Sequence, residues 1–133
     1  MGRDIEIAIA SDADIVTARQ EGRRLAGQLN FSSSDLTVIA AAISEVARNI
    51  VAYAGRGDLT VCLLERAGRR GVGVMARDAG PGIPDVALAL QDGYSTSGSL
   101  GLGLPGAKRL MDEFEIQTEV GRGTTVIMRK WAR

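Results

Sequence analysis

Three residues that could do chemistry, Glu45, Arg48 and Asn49, lie within five positions of one another. On a helix this spacing brings their side chains onto one face, within one turn of each other. A carboxylate can serve as a general base, and asparagine is a poor helix former, so Asn49 in the middle of a predicted helix suggests a function. The plainer interpretation is a Glu–Arg pair on a solvated face, which contributes roughly 0.2–0.5 kcal/mol. Because the chain contains no histidine, a carboxylate is the best candidate for the base of an enzyme.

A second group of residues follows a predicted strand and is rich in glycine and proline. Its sequence is Asp78-Ala-Gly-Pro-Gly-Ile-Pro-Asp85. Glycine and proline prevent a helix or strand from continuing, and small residues let the backbone approach a ligand closely. Asp78 supplies a hydrogen-bond acceptor at the start of the segment. A surface turn that binds nothing fits the same residues.

A third group, Gly101-Leu-Gly-Leu-Pro-Gly106, opens a predicted helix. Glycines before a helix leave backbone N–H groups free to bind an anion, and the helix dipole favours negative charge there. The spacing matches the G-x-G-x-x-G pattern of dinucleotide-binding folds, but no strand directly precedes it. The P-loop pattern fails as well, because Lys108 is out of its register.

The helices that must hold these groups are predicted from hydrophobic periodicity. The longest is predicted over 34–54, with an apolar stripe on one face and Ser44, Glu45, Arg48 and Asn49 on the opposite face. The stripe consists of Leu36, Ala40, Ile43, Ala47, Ile50 and Ala54. Other helices are predicted over 13–29, over 85–92 and after the glycines of the third group, and a mobile loop is predicted over 93–100.

Alternating or continuous apolar runs predict strands over 5–10, 60–65, 72–77, 114–119 and 124–131. The element order β-α-α-β-β-(short α)-α-β-β favours the α+β class. We expect a two-layer α/β sandwich in which helices cover one face of a mixed, mostly antiparallel sheet. The length suits a single domain over 1–133.

Composition narrows the class of function. Sixteen acidic and sixteen basic residues cancel, which argues against nucleic acid or an anionic membrane as a partner. No apolar run approaches the length of a membrane span, and the N-terminus has no signal-peptide core, so a cytoplasmic protein is expected. The single cysteine, Cys62, lies in an apolar run and is expected to be a buried structural thiol.

The order and spacing of the three groups resemble the N box, G1 box and G2 box of the GHKL (Bergerat) ATP-binding fold. Gly121-Arg-Gly-Thr124, before the last strand, is similar to the final small motif of that fold. Over the whole chain the sequence resembles a narrower family, the small serine/threonine kinases and switch proteins of the bacterial stressosome pathway. The segments that carry this closer resemblance are 43–50, 53–55, 78–85, 92–98, 104–114 and 130–131.

The resemblance implies roles for residues at the purine end of an ATP site. Asp78 would accept a hydrogen bond from the adenine amino group and so favour ATP over GTP. Gly80 and Gly82 would let the purine lie against the backbone. Thr124 would belong to the same nucleotide-binding set.

At the phosphate end, the resemblance implies that Asn49 holds Mg²⁺ through its amide oxygen, since Mg²⁺ prefers oxygen ligands. Gly101, Gly103 and Gly106, with the N-terminus of the helix that follows, would cradle the phosphates. Lys108 would add positive charge near them.

The resemblance also implies a catalytic pair. Glu45 would orient or deprotonate the attacking hydroxyl, and Arg48 would pair with Glu45 or hold it in place. Related anti-sigma kinases are expected to use an arginine of the lid segment on the γ-phosphate, but residues 93–100 contain no arginine. How this chain stabilises the transferred charge therefore stays open.

The implied function is that of an ATP- and Mg²⁺-dependent protein serine/threonine kinase. Its substrates would be STAS-domain proteins, and the released kinase would bind and activate a PP2C-type phosphatase. The alternative is a non-catalytic anti-sigma factor or switch module, in which the nucleotide only shapes a docking surface. An ATPase such as a gyrase or chaperone fragment would need a transducer domain, which is not expected because the sequence ends at Arg133.

Overall fold

The fold is taken from a computed structural model, which describes residues 4–83 and 103–132. The predicted short helix over 85–92 and the predicted loop over 93–100 lie outside these residues. The elements in chain order are β1 (Asp4–Ile9), α1 (Asp12–Ala26), α2 (Ser33–Tyr53), β2 (Gly57–Arg66), β3 (Arg69–Asp78), α3 (Gly103–Leu110), β4 (Glu113–Glu119) and β5 (Gly123–Trp131).

Five strands form one sheet in the order β1-β2-β3-β5-β4. Each of the four neighbouring pairs is antiparallel, so the parallel pairing allowed by the predicted mixed sheet does not occur in the described part of the chain. The helices α1 and α2 pack on each other and on the sheet, and α3 packs on α2. The predicted α+β sandwich, with helices over one face of the sheet, is confirmed.

The helix α2 is the centre of the core. Its N-terminus is capped by Ser32, whose side chain accepts a hydrogen bond of 3.0 Å from the backbone N–H of Asp35. Ser44, which periodicity places on the solvated face, is instead buried, and its hydroxyl donates to the carbonyl oxygen of Ala40 at 3.0 Å. Because α1, α3 and the sheet all pack on α2, its buried residues extend beyond one apolar stripe.

The prediction that no segment reaches the length of a membrane span is wrong for α2. At 21 residues, Ser33–Tyr53 is long and apolar enough to cross a membrane by length and composition alone. Within the fold, 44% of that window is buried, and core helices of folded domains meet the same criterion. Localisation in the cytoplasm therefore stays a prediction.

One row of paired residues crosses the end of the sheet, from Ile9 of β1 to Thr118 of β4. Gly57 of β2 pairs with Asp78 of β3, Asp78 pairs with Thr124 of β5, and Thr124 pairs with Thr118 of β4. Paired residues lie on the same face of a sheet, and residues two positions along share that face. The next row inward, which includes Leu59, Ala76 and Val126, is part of the core. The row at the sheet end therefore borders the helix-covered face.

Candidate functional site

Asp78 is the acidic residue of this row and is half-buried at the end of β3. Its Oδ1 accepts a hydrogen bond of 2.9 Å from the backbone N–H of Gly80, which fixes the first turn of the glycine-rich segment. No other hydrogen bond to the carboxylate is made by residues 4–83 or 103–132. None of the described residues donates to the Oδ2 atom of Asp78, which can accept from a ligand.

Glycines on both neighbouring strands make room for Asp78. A Cβ at Gly57 would overlap the carbonyl oxygen of Arg77 and lie 3.1 Å from the Asp78 Cβ. A Cβ at Gly123 would overlap the carbonyl oxygen of Asp78, and Gly123 has a φ of 129°, which disfavours other residues. The sequence analysis did not single out Gly57, because its importance depends on the strand pairing that places it beside Asp78.

The two glycines after Asp78 are required by packing within the protein. A Cβ at Gly80 would lie 2.6 Å from the Cβ of Ala54 at the end of α2. Gly82 has a φ of 80°, and a Cβ there would lie 2.5 Å from the carbonyl oxygen of Glu119. These contacts give the glycines a reason that does not depend on the predicted approach of a purine, and that approach stays a prediction.

The segment is also tied to the turn between β4 and β5. The backbone N–H of Gly121 donates to the carbonyl oxygen of Pro81 at 2.9 Å. The backbone N–H of Ile83 donates to the hydroxyl of Thr118, also at 2.9 Å. Thr118 was missed by the sequence analysis, because a threonine in a strand is common and only the register with Thr124 reveals its position.

Glu45 lies on α2 and is largely shielded from solvent, with 11% of its side chain exposed. Its Oε1 accepts a hydrogen bond of 2.9 Å from the backbone N–H of Gly103, the first residue of α3. Its Oε2 lies 3.1 Å from a guanidinium nitrogen of Arg48, so the predicted pairing of these two side chains is present. The carboxylate thus joins the middle of α2 to the N-terminus of α3.

Asn49 lies one turn after Glu45 on α2 and is half-buried. Its side-chain amide makes no hydrogen bond to the described residues, so its oxygen can serve a ligand. Within 4–83 and 103–132, no group of three or more acidic or cysteine side chains could hold a metal ion. A Mg²⁺ ion held by one protein oxygen together with nucleotide phosphates fits this donor set, because Mg²⁺ commonly takes few ligands from protein.

The helix α3 carries the described part of the third group. Gly103 begins the helix with a φ of 67°, and Gly106 lies inside it among the buried residues Leu104–Ala107. Lys108 is exposed in the last turn, five residues after Gly103, or about 7.5 Å along the axis. Gly101 lies outside the described residues. The predicted phosphate contacts of these residues stay predictions.

Comparison of sequences connects this site with known proteins. Residues 9–130 match the model of the histidine kinase-like ATPase domain family. The chain is 48% identical over 127 residues to the serine/threonine-protein kinase RsbT of Bacillus subtilis, covering 96% of both chains. It is 31% identical over 110 residues to the anti-sigma F factor of Geobacillus stearothermophilus, covering 77% of this chain and 74% of that protein.

A solved structure shares the fold of this chain. The RsbU and RsbW domains of a Mycobacterium tuberculosis protein superpose on 98% of this chain with a TM-score of 0.64 and 23% sequence identity. This chain spans 31% of that longer chain. Together with the sequence relatives, this likeness confirms the resemblance on which the fold and the ATP-binding class were predicted.

Proposed function

This chain belongs to the histidine kinase-like ATPase family and is a serine/threonine kinase of the partner-switching type, and we propose that it phosphorylates STAS-domain proteins with ATP. Binding of ATP follows from the family. The STAS-domain substrates are inferred from the likeness to RsbT.

The observation that carries the proposal is the contact between Glu45 and Gly103. It puts a shielded carboxylate at the N-terminus of α3, which is where free N–H groups and the helix dipole favour phosphates. Asn49 lies one turn further along α2, and its amide oxygen accepts from none of the described residues. The proposed base, the proposed metal ligand and the proposed phosphate site are thus neighbours.

The reaction we propose transfers the γ-phosphoryl group to a serine or threonine hydroxyl. The bond between the γ-phosphorus and the oxygen that bridges it to the β-phosphate breaks, and a bond forms from the hydroxyl oxygen to that phosphorus. Glu45 takes the hydroxyl proton. Arg48 holds the carboxylate in orientation.

Bound Mg²⁺ would neutralise charge that develops on the β- and γ-phosphate oxygens. In this proposal Asn49 supplies its only protein ligand among the described residues. Asp78 and Thr124, at the sheet end, bind the adenine ring. Gly103 contributes its N–H group to the phosphates.

Partner switching completes the proposed function. A kinase that binds its STAS-domain substrate tightly is held by that protein until the substrate is phosphorylated. The freed kinase then binds and activates a PP2C-type phosphatase. The balanced charge of the chain fits partners recognised by shape and specific contacts.

A transfer assay tests the proposal. The protein is incubated with γ-labelled ATP, Mg²⁺ and a purified STAS-domain protein, and the label is expected on a serine or threonine of the partner. Binding of ATP without any transfer to STAS-domain proteins would contradict the kinase proposal while leaving the nucleotide site intact.

A second candidate function is supported by the likeness to anti-sigma F factors. In that case the protein would bind a sigma factor and hold it inactive. Pull-downs with purified sigma factors, STAS-domain proteins and PP2C-type phosphatases distinguish the two, because the switch proposal requires capture of the last two and no sigma factor.

A further inference from the structure

We propose that Thr118 is a positioning residue that sets the hydrogen-bonding role of Thr124 and thereby the preference for adenine over guanine. The inference rests on the proposed ATP site, in which Asp78 and Thr124 face the purine. It concerns a residue on β4, two strands away from Asp78 in the sheet.

The hydroxyl of Thr118 has three neighbours within hydrogen-bond distance. The backbone N–H of Ile83 lies at 2.9 Å, the carbonyl oxygen of Gly123 at 3.1 Å and the hydroxyl oxygen of Thr124 at 2.9 Å. A threonine hydroxyl has one proton to donate and two lone pairs that accept. These three neighbours therefore use its full capacity.

The chemistry of the neighbours assigns the direction of each bond. The N–H of Ile83 can only donate, and the carbonyl oxygen of Gly123 can only accept. The single proton of Thr118 is needed for Gly123, so the bond between the two hydroxyls takes the proton of Thr124. Thr124 then donates its only hydroxyl proton to Thr118, so it can act only as an acceptor towards any other partner.

With this assignment, Asp78 and Thr124 both present hydrogen-bond acceptors to a ligand. Thr124 pairs directly with Asp78 across the sheet, so their side chains lie on the same face. Asp78 keeps one carboxylate oxygen for a ligand, and an ionised carboxylate only accepts. Two adjacent acceptors suit the exocyclic amino group of adenine, which donates. The O6 atom of guanine at the same position would face both acceptors without a proton between them.

Thr118 also links β4 and Thr124 to the glycine-rich segment 78–83. By accepting from Ile83, it holds the end of the described segment 78–83 against β4. Without the Thr118 hydroxyl, Gly123 loses a donor, Ile83 loses an acceptor, and the proton of Thr124 is released. Thr124 could then turn its proton towards the ligand, and the preference for an amino group would weaken.

The experiment compares dissociation constants for ATP and GTP by titration calorimetry. Thr118→Val keeps the shape of the side chain and removes the hydroxyl, while Thr118→Ser restores the hydroxyl. For the valine variant we expect the ratio of GTP to ATP dissociation constants to fall about tenfold, the equivalent of roughly one hydrogen bond. The serine variant should keep the ratio within about twofold of wild type.

The matched control is Thr125→Val, the same substitution one residue along β5, where successive side chains point to opposite faces. Its ratio should equal that of wild type. A valine variant at 118 that weakens ATP and GTP equally, or changes neither, would overturn the inference. Wild-type protein that binds no nucleotide would instead overturn the proposed function, and with it the premise of this inference.

Thermal unfolding of each variant separates loss of structure from loss of selectivity. If Thr118→Val does not unfold cooperatively, Thr118→Cys takes its place, because a thiol has similar size but is a weak donor and acceptor. The same fall in the ratio is then expected, and an unchanged ratio would again overturn the inference.

Discussion

The carboxylate of Glu45 accepts a hydrogen bond from the backbone N–H of Gly103 at 2.9 Å, which joins the middle of α2 to the first residue of α3. This N–H is one that the phosphates of a nucleotide would use at a helix N-terminus. A phosphate that binds it must replace the Glu45 oxygen. Binding of a phosphate at this N–H would therefore change the hydrogen bonding of the proposed base, Glu45.

The first prediction concerns Glu45→Gln. We expect phosphoryl transfer to a STAS-domain protein to fall at least about 100-fold, because an amide cannot take the hydroxyl proton. The affinity for ATP should rise by a small factor, because a negative charge beside the phosphates is lost. Single-turnover transfer and titration calorimetry with ATP measure the two effects.

The control for this substitution is Glu65→Gln, the same change at an exposed position of β2. It should leave both quantities at wild-type values. Transfer by Glu45→Gln at the wild-type rate would show that Glu45 is not the base.

The second prediction concerns Asp78→Asn. Its Oδ1 can still accept from the N–H of Gly80, so the free energy of unfolding should change little. The amide NH₂ would meet the adenine amino group donor to donor, and we expect ATP affinity to fall roughly 10- to 100-fold, as for loss of a hydrogen bond to a charged group. Calorimetric titration measures the loss. Asp58→Asn, which affects only an exposed pair with Arg77, is the matched control, and equal affinities for the two variants would refute the adenine contact.

The third prediction compares two glycines of the turn between β4 and β5. Gly123→Ala would place a Cβ onto the carbonyl oxygen of Asp78, whereas Gly121→Ala would meet nothing within 4 Å. Both glycines have positive φ, at 129° for Gly123 and 84° for Gly121, so an alanine at either position destabilises the backbone by roughly 1–2 kcal/mol.

The overlap adds roughly 1–3 kcal/mol for Gly123→Ala alone. We therefore expect urea unfolding to show a larger loss of stability for this variant, and nucleotide titration to show weaker ATP binding because Asp78 is displaced. Equal losses for the two variants would mean that the close approach to Asp78 does not matter for stability.

The fourth prediction is a dependence of stability on pH. The Glu113 carboxylate accepts hydrogen bonds from the ring N–H of Trp131 at 2.8 Å, from Arg66 at 2.8 Å and from Arg129 at 3.1 Å. These bonds, that of Trp131 most of all, hold the pKa of Glu113 below its ordinary value of 4.5. A lowered pKa in the folded state stabilises the protein above the ordinary pKa, and this stabilisation is lost as the pH falls through the folded value.

Glu113→Gln should therefore lower the free energy of unfolding at pH 7. The difference from wild type should shrink to nothing in acid, where wild-type Glu113 is protonated as well. Urea unfolding at a series of pH values measures it. Glu6→Gln, at an exposed position of β1, is the control, and a difference that persists unchanged at the lowest pH would contradict the explanation.

Much of this architecture could be predicted from local sequence pattern. Periodicity located α2 and placed Glu45 beside Arg48, because helix spacing is fixed by the backbone. The burial of Ser44 could not be read in that way, since it results from helices that pack on α2 from elsewhere in the chain. The prediction that Cys62 is buried was wrong: it is half-buried on β2, because it points to the face opposite that of the buried Val61.

The row of residues at the sheet end was predicted only in part. Asp78 carried a recognisable motif, and its neighbours Gly57 and Thr118 did not. Their roles depend on the register of four strands, which form two hairpins, β2–β3 and β4–β5, separated in sequence by residues 79–112. A strand pattern with a period of two gives the face of a residue but not its partner across the sheet.

The strand order leaves the connection between β3 and β4 open to changes in length. The chain leaves the sheet at the end of β3 and returns at β4, on the far side of β5, so no pairing among the five described strands depends on how many residues lie between Asp78 and Glu113. Doubling the length of a connection costs only about 0.6 kcal/mol of closure entropy. Insertions in this connection would therefore leave the pairing of Gly57, Asp78, Thr124 and Thr118 in register, which makes it the natural place to graft a new segment.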